Sequence, residues 1–229
     1  RPPVAPRLIG LLAALLPVVG AAASAWGLPV PRPPQLAGFG ERQLGSFLEQ
    51  TFGNAFGVLI GVGNGRRALE LLDTWPRGVL FLVDPYIHLR FGYDRWENLE
   101  DVEHQQQYEH LRNILHDKPG VQGRYSFVRE FSFGVPQIWR EKQWGPDPKF
   151  VYLDANPSYG AVRTDLKMWW PLLAQNGIMA GTNYTTDGSG SVVGVRRAVD
   201  EFAAEHGLQV FLTSDAPEPT WMLLKEGGA

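Results

Sequence analysis

The chain contains short apolar runs separated by longer stretches in which apolar residues are spaced by three and four. The short runs are typical of buried strands, and the longer stretches are typical of amphipathic helices. Leu44, Phe47 and Leu48 show the helical spacing, which places them on one face of a helix. Because alternating strands and helices usually form a parallel sheet covered on both faces, the pattern predicts an α/β domain.

The pattern predicts seven strands and six helices. The strands cover residues 57–60, 78–83, 125–131, 150–153, 178–180, 208–213 and 220–224. The helices cover residues 41–52, 66–72, 97–116, 135–143, 162–175 and 195–206. Residues 214–219 are too few for a crossover helix, so the last two strands are predicted to be antiparallel. The expected fold class is therefore a mostly parallel seven-stranded sheet with an antiparallel last strand.

The first predicted strand runs into a turn that contains Gly61, Gly63 and Gly65, and a helix is predicted directly after it. A turn without side chains lets a ligand approach the backbone, and a helix N-terminus offers unpaired N–H groups. Asp84 ends the next strand about 20 residues later, where a carboxylate suits the two hydroxyls of a ribose. These features predict a nucleoside-type site. The alternative is a glycine turn that binds nothing.

Residues 1–34 differ from the rest, because residues 8–26 contain no charged side chain. As a helix this segment would be about 28 Å long, close to the thickness of a bilayer core. We expect a hydrophobic N-terminal helix that anchors the chain in a membrane or docks on a membrane-protein partner. Arg1 and Arg7 suit a positive-inside flank. The alternative is a cleaved signal peptide with residues 23–25 as the cleavage site.

Localisation is accordingly expected at a membrane, with a processed N-terminus, in an organelle or the secretory pathway. A stiff proline-rich linker at residues 30–34 separates this segment from a domain that covers residues 35–229. Residues 85–120 are predicted to be a polar insertion within that domain. His104, His110 and His116 in this insertion are six residues apart, which does not place them on one helical face. We therefore expect solvated histidines and no metal site.

Composition narrows the classes of function. A chain of 229 residues is long enough for one α/β domain with appendages. A net charge of −3 gives no reason to expect a nucleic-acid surface. The absence of cysteine excludes disulfides, cysteine-ligated zinc and thiol chemistry.

Three motifs in the second half of the chain match a known pattern. Residues 154–159 read Asp-Ala-Asn-Pro-Ser-Tyr, residues 165–173 read Asp-Leu-Lys-Met-Trp-Trp-Pro-Leu-Leu, and residues 181–184 read Gly-Thr-Asn-Tyr. This order resembles class I S-adenosylmethionine-dependent methyltransferases over about residues 40–225. The resemblance implies a Rossmann-like fold, S-adenosylmethionine as methyl donor and a small-molecule acceptor.

The resemblance also implies roles for the residues of the glycine turn. Gly61, Gly63 and Gly65 would face the donor, and Asp84 would bind its ribose. Ser132 would lie near the adenine. Class I enzymes of this kind bind the donor across the carboxyl ends of the central strands, where open α/β sheets generally bind ligands.

Several positions depart from the pattern of the resembled enzymes. Leu59 stands where they usually have an acid, Pro157 replaces a histidine, and Thr182 and Asn183 replace a His-Asp pair. Proline, threonine and asparagine cannot act as bases near neutral pH, whereas transfer to oxygen or nitrogen requires loss of a proton.

Asp154 is then the best-placed carboxylate for catalysis, and Tyr159 or Tyr184 could orient an acceptor. The alternative for Asp154 is a structural acid at a strand end. Two functions follow from the sequence. One is a methyltransferase acting on a small acceptor. The other is an accessory subunit of a membrane complex that has lost catalysis, and with it the need for the donor.

Overall fold

The computed structural model describes residues 36, 38–91, 93, 97–185, 194–215 and 217–226. The predicted hydrophobic helix at residues 8–26 and the proline-rich linker lie outside the described residues. Within the described part of the chain, no helix is both long enough and apolar enough to cross a membrane.

The described residues form six α-helices and seven strands in alternation. The strands are β1 Phe56–Ile60, β2 Val79–Val83, β3 Tyr125–Val128, β4 Phe150–Leu153, β5 Ile178–Gly181, β6 Val210–Leu212 and β7 Trp221–Leu224. The helices are α1 Leu44–Phe52, α2 Arg66–Thr74, α3 Asp101–Asp117, α4 Val135–Lys142, α5 Tyr159–Trp169 and α6 Gly194–His206. Short 3-10 helices at Glu41–Gln43 and Ser132–Gly134 lead into α1 and α4.

The strands form one sheet in the order β3-β2-β1-β4-β5-β7-β6. All neighbours are parallel except β7, which is antiparallel to both β5 and β6. The predicted mostly parallel, Rossmann-like sheet and the antiparallel last pair are therefore confirmed. β7 lies between β5 and β6, so the last strand in sequence is not the edge strand.

Alternate residues of each strand enter two separate cores, one on each face of the sheet. Val58 and Ile60 of β1 pack on the face covered by α4, α5 and α6, whereas Leu59 packs on the face covered by α1, α2 and α3. Leu59 is fully buried. The position at which the resembled enzymes usually have an acid therefore holds an apolar core residue.

Most elements differ from their predicted bounds by a few residues, and the differences in α5 and β3 have a visible cause. Helix α5 begins at Tyr159 because the Ser158 hydroxyl accepts the Ala161 N–H and caps the helix. It ends at Trp169, although Trp170 still has helical backbone angles, because Pro171 has no backbone N–H with which to continue the helix. Strand β3 ends at Val128, because the Glu130 N–H turns back to the Val128 carbonyl.

Within the stretch predicted to be a polar insertion, residues 101–117 form α3, which begins with a reciprocal cap between Glu100 and Glu103. His110 and His116 are exposed, as expected. His104 is half-buried, and both of its ring nitrogens lie out of contact with solvent. The expectation of a solvated side chain is therefore wrong for His104, because steps of six residues rotate each histidine to a different side of the helix.

Candidate active site at the carboxyl edge of the sheet

The glycine turn directly follows β1. Gly61, Gly63 and Gly65 have φ angles of 82°, 51° and 83°, in the left-handed region that glycine adopts without steric cost. A Cβ atom on Gly61 would lie 2.2 Å from the carbonyl oxygen of Asp154. Only glycine therefore permits the chain to leave β1 this close to the end of β4.

The three glycines have different surroundings. A Cβ on Gly65 would lie 2.2 Å from a Leu111 methyl, because Gly65 directly precedes α2 and packs against α3. A Cβ on Gly63 would meet nothing within 4 Å. Gly61 and Gly65 thus allow close packing, and Gly63 borders the open space that a ligand would need.

Asp84 follows β2, next to the glycine turn. Its Oδ2 atom accepts the N–H groups of Val62 at 2.9 Å and Gly63 at 3.0 Å, and its Oδ1 atom accepts the Tyr86 N–H at 2.8 Å. A carboxylate offers about four acceptor positions, so these three bonds leave about one for a ligand. The ribose contact stays a prediction. The structure adds that Asp84 also supports the turn.

Tyr86 is a residue of this site that the sequence reasoning missed. Its hydroxyl donates to the Gly63 carbonyl at 3.0 Å, and the residue is only 2% exposed. Its φ of 51° is unusual for a residue other than glycine and costs about 1–3 kcal/mol. Burial, followed by the charge of Asp84, raises the pKa of Tyr86, so its hydroxyl stays protonated and can donate. The Asp-Pro-Tyr sequence after the strand is a turn signal that could have identified it.

Asp154 lies at the end of β4. Its N–H donates to the Ile60 carbonyl at 2.7 Å, and its Oδ1 atom accepts the Thr182 hydroxyl at 2.8 Å. Burial raises the pKa of Asp154, while the Thr182 hydroxyl acts in the opposite direction. Because the Asp154 backbone also touches Gly61, this residue joins the glycine turn to the neighbouring pocket.

A pocket of about 270 Å³ lies beyond the ends of β4 and β5. Its polar lining comes from Asn156, Asp165, Thr182 and Asn183, and Pro157 also borders it. The structure therefore brings together the three positions that replace the His and His-Asp of the resembled enzymes. A second pocket, of about 350 Å³, has a wholly apolar lining and lies against β6 and β7, between α1 and the sheet.

Asp165 is a second residue that the sequence reasoning missed. It lies on α5, is 6% exposed and accepts a hydrogen bond from the Ser132 hydroxyl. Burial raises the pKa of Asp165 to about 6. The Ser132 carbonyl in turn accepts the indole N–H of Trp169 at 3.1 Å. Ser132, predicted to lie near an adenine, thus also connects the 3-10 helix that precedes α4 to α5.

The two candidate tyrosines are bonded to α6. The Tyr159 hydroxyl donates to Glu201 and the Tyr184 hydroxyl donates to Asp200, each at 2.5 Å. The Tyr184 ring is fully buried. These contacts hold α6 to the end of β5 and to α5. Their role in orienting an acceptor stays a prediction.

Solved methyltransferase structures share this fold at low sequence identity. A Staphylococcus aureus protein provisionally named a caffeoyl-CoA O-methyltransferase superposes with a TM-score of 0.57 at 10% identity, over 80% of this chain and 82% of its own. A calicheamicin methyltransferase superposes with a TM-score of 0.55 at 17% identity, over 76% of this chain and 73% of its own. A precorrin-6y C5,15-methyltransferase of Geobacter metallireducens superposes with a TM-score of 0.53 at 15% identity, over 85% of this chain and 94% of its own. At these identities the likeness shows the fold alone.

Sequence comparison supplies the family. Among curated proteins no sequence matches this chain. Residues 58–184 match the family described as methyltransferase domain, and this region contains the glycine turn, Asp84 and Asp154. The resemblance to class I S-adenosylmethionine-dependent methyltransferases is thereby confirmed. Because the match spans more than half of the chain, the protein belongs to the methyltransferase domain family.

Proposed function

We propose that this protein transfers a methyl group from S-adenosylmethionine to a small acceptor. One observation carries the proposal: the glycine turn opens to free space at Gly63 and touches Asp154 through Gly61. Asp154 in turn bonds to Thr182, which lines the pocket beyond β4 and β5. A donor at the turn and an acceptor in the pocket would therefore meet at Asp154.

The residues around the turn fit the donor. The open side of Gly63 lets a ligand approach the backbone, and α2 begins three residues later. Asp84 retains about one acceptor position for a ribose hydroxyl. When bound, S-adenosylmethionine supplies an electrophilic methyl group on its sulfonium. The chain must then hold the acceptor in line and manage its proton.

Asp154 is the carboxylate proposed to receive that proton. Its raised pKa makes it a stronger base than an ordinary aspartate once it is ionised. The Thr182 hydroxyl lies 2.8 Å from Asp154 Oδ1 and 3.0 Å from Asn183 Oδ1. Its single hydrogen can be donated to Asp154, which orients the carboxylate toward the end of β5. Asn156 and Asn183 would hydrogen-bond to a neutral polar acceptor.

The pocket supports a small polar acceptor because its lining combines four polar side chains with apolar ones. Phenols, carboxylates and small amines are the classes to test. Calorimetry with S-adenosylhomocysteine tests the donor site directly, and product detection across an acceptor panel tests the reaction. We expect donor binding and turnover of at least one class. Absence of donor binding by folded protein would contradict the proposal.

A second candidate function is an accessory subunit of a membrane complex. The observation in its favour is that Pro157, Thr182 and Asn183 occupy the proton-handling positions of the resembled enzymes. Residues 8–26 would then supply the attachment to the membrane. Fractionation of the full chain, with a variant lacking residues 1–34 as control, tests the attachment. Carbonate-resistant membrane association without donor binding would favour this function, whereas a soluble full chain would argue against it.

A further inference from the structure

We propose that Tyr86 is a positioning residue that holds the glycine turn in its donor-binding shape. This inference rests on the proposed function, because it assigns a role within the same donor site. It adds a side chain that has no predicted contact with the donor and that acts through the Gly63 carbonyl.

The Asp84–Tyr86 segment anchors three consecutive peptide units of the turn. Asp84 Oδ2 accepts the N–H groups of Val62 and Gly63, which belong to the first two units. The Tyr86 hydroxyl donates to the carbonyl of Gly63, which belongs to the third. A further bond from the Gly65 N–H to the Val62 carbonyl, at 2.9 Å, closes the turn on itself. The three peptide units bonded to Asp84 and Tyr86 are thus held from the end of β2.

Tyr86 is itself firmly held, so its hydroxyl can fix the position of the Gly63 carbonyl. Its N–H donates to Asp84 Oδ1, and its side chain is buried. Its ring packs against Tyr108 with the ring centroids 5.4 Å apart. Tyr108 also contacts Phe127 of β3, at 5.1 Å, and lies under the Arg129 guanidinium, at 4.7 Å. The hydroxyl of Tyr86 is therefore braced by β3 and α3 as well as by Asp84.

The turn needs such a brace at Gly63 more than at its other glycines. Protein atoms confine Gly61 and Gly65, whereas Gly63 faces open space and has the conformational freedom of glycine. Without the Tyr86 hydroxyl, the third peptide unit would sample other orientations. A ligand would then have to order the turn on binding, which lowers its affinity.

The test compares two substitutions that each remove one hydroxyl and keep the ring. Tyr86→Phe removes the bond to Gly63, and Tyr108→Phe is the matched control in the neighbouring ring. Calorimetry measures the Kd of S-adenosylhomocysteine, and thermal unfolding measures Tm. Hydrogen exchange measures protection of the amides of residues 62–65. We expect Tyr86→Phe to weaken binding roughly 3- to 10-fold, the worth of one hydrogen bond, and to speed exchange in the turn. Tyr108→Phe should change neither, and the Tm values verify that both variants fold.

The two measurements separate the failure of this inference from failure of the proposed function. If the unaltered protein binds no donor, the proposed function fails, and exchange still shows whether Tyr86 orders the turn. An unchanged Kd with unchanged exchange in Tyr86→Phe would overturn the inference. So would an equal loss of affinity in both variants, because it would assign the effect to packing of the aromatic pair rather than to the hydroxyl.

Discussion

Asp84 and Gly63 are joined by a hydrogen bond of 3.0 Å, from the backbone N–H of Gly63 to Oδ2 of Asp84. The bond links the acid that ends the second strand to the one glycine of the turn that borders open space. A residue predicted as a ligand for a ribose is therefore also part of the support of the turn. Substitutions here should affect the shape of the site as well as its direct contacts.

Replacing Asp84 should weaken donor binding through both roles. We expect Asp84→Ala to cost roughly 1.5–3 kcal/mol in affinity for S-adenosylhomocysteine, the worth of a charge-assisted hydrogen bond. Stability should fall as well, because the Val62 and Gly63 N–H groups lose their acceptor. Calorimetry and urea unfolding measure the two effects. A Kd equal to that of the unaltered protein would reject the ribose assignment and leave the fold untouched.

Two alanine substitutions should distinguish the glycine that permits close packing of the turn, Gly61, from the glycine that borders the space for a ligand, Gly63. In Gly61→Ala the new Cβ meets the Asp154 carbonyl at 2.2 Å, so we expect severe loss of stability. In Gly63→Ala the Cβ has room, and only the left-handed backbone costs about 1–2 kcal/mol. We expect Gly63→Ala to fold and to bind the donor at least about tenfold more weakly, which corresponds to a loss of about 1.4 kcal/mol in binding free energy. Normal donor binding by Gly63→Ala would show that the donor does not approach this glycine.

The proton-accepting role of Asp154 predicts a specific dependence of turnover on pH. Because the pKa of Asp154 is raised, turnover should begin to fall at a higher pH, as the solution is acidified, than it would with an ordinary aspartate. We expect Asp154→Asn to lower kcat by about 10²–10⁴-fold and to remove that acid limb. Thr182→Val removes the hydrogen bond that lowers the pKa, so its acid limb should move to higher pH. Identical profiles in all three proteins would exclude Asp154 as the base.

Asp165 should make stability depend on pH. Its pKa of about 6 lies above the ordinary value of 3.8, so between these values the folded protein keeps a proton that the unfolded chain has lost. The contribution of this group to stability is full below pH 3.8 and is lost as the pH rises through about 6. Above that pH the difference between the two values corresponds to a cost of about 3 kcal/mol.

The prediction is tested by urea unfolding across this range of pH. We expect Asp165→Asn to flatten the dependence and to be more stable than the unaltered protein at pH 7, since its amide can still accept from Ser132. Asp117→Asn, at a position with an 82% exposed side chain, is the control. Parallel curves for Asp165→Asn and the unaltered protein would contradict the assigned burial cost.

The sequence by itself determined which segments are strands and helices and where the glycine turn lies. The reason is that these features are local: apolar periodicity, proline and glycine act within a few residues. The position of Asp84 after its strand and the antiparallel last pair also followed, because a short link permits few geometries. Errors at the ends of α5 and β3 came from a cap at Ser158 and a backbone turn at Glu130.

The tertiary structure decided the features that depend on distant parts of the chain. The position of β7 between β5 and β6 depends on how the strands pair within the sheet, which the order of strands along the chain does not determine. The different surroundings of Gly61 and Gly65 come from Asp154 and Leu111, which are far away in sequence. The contact between Ser132 and Asp165 likewise joins residues 33 positions apart. No local pattern encodes such contacts, because they arise only when whole elements pack together at the carboxyl edge of the sheet.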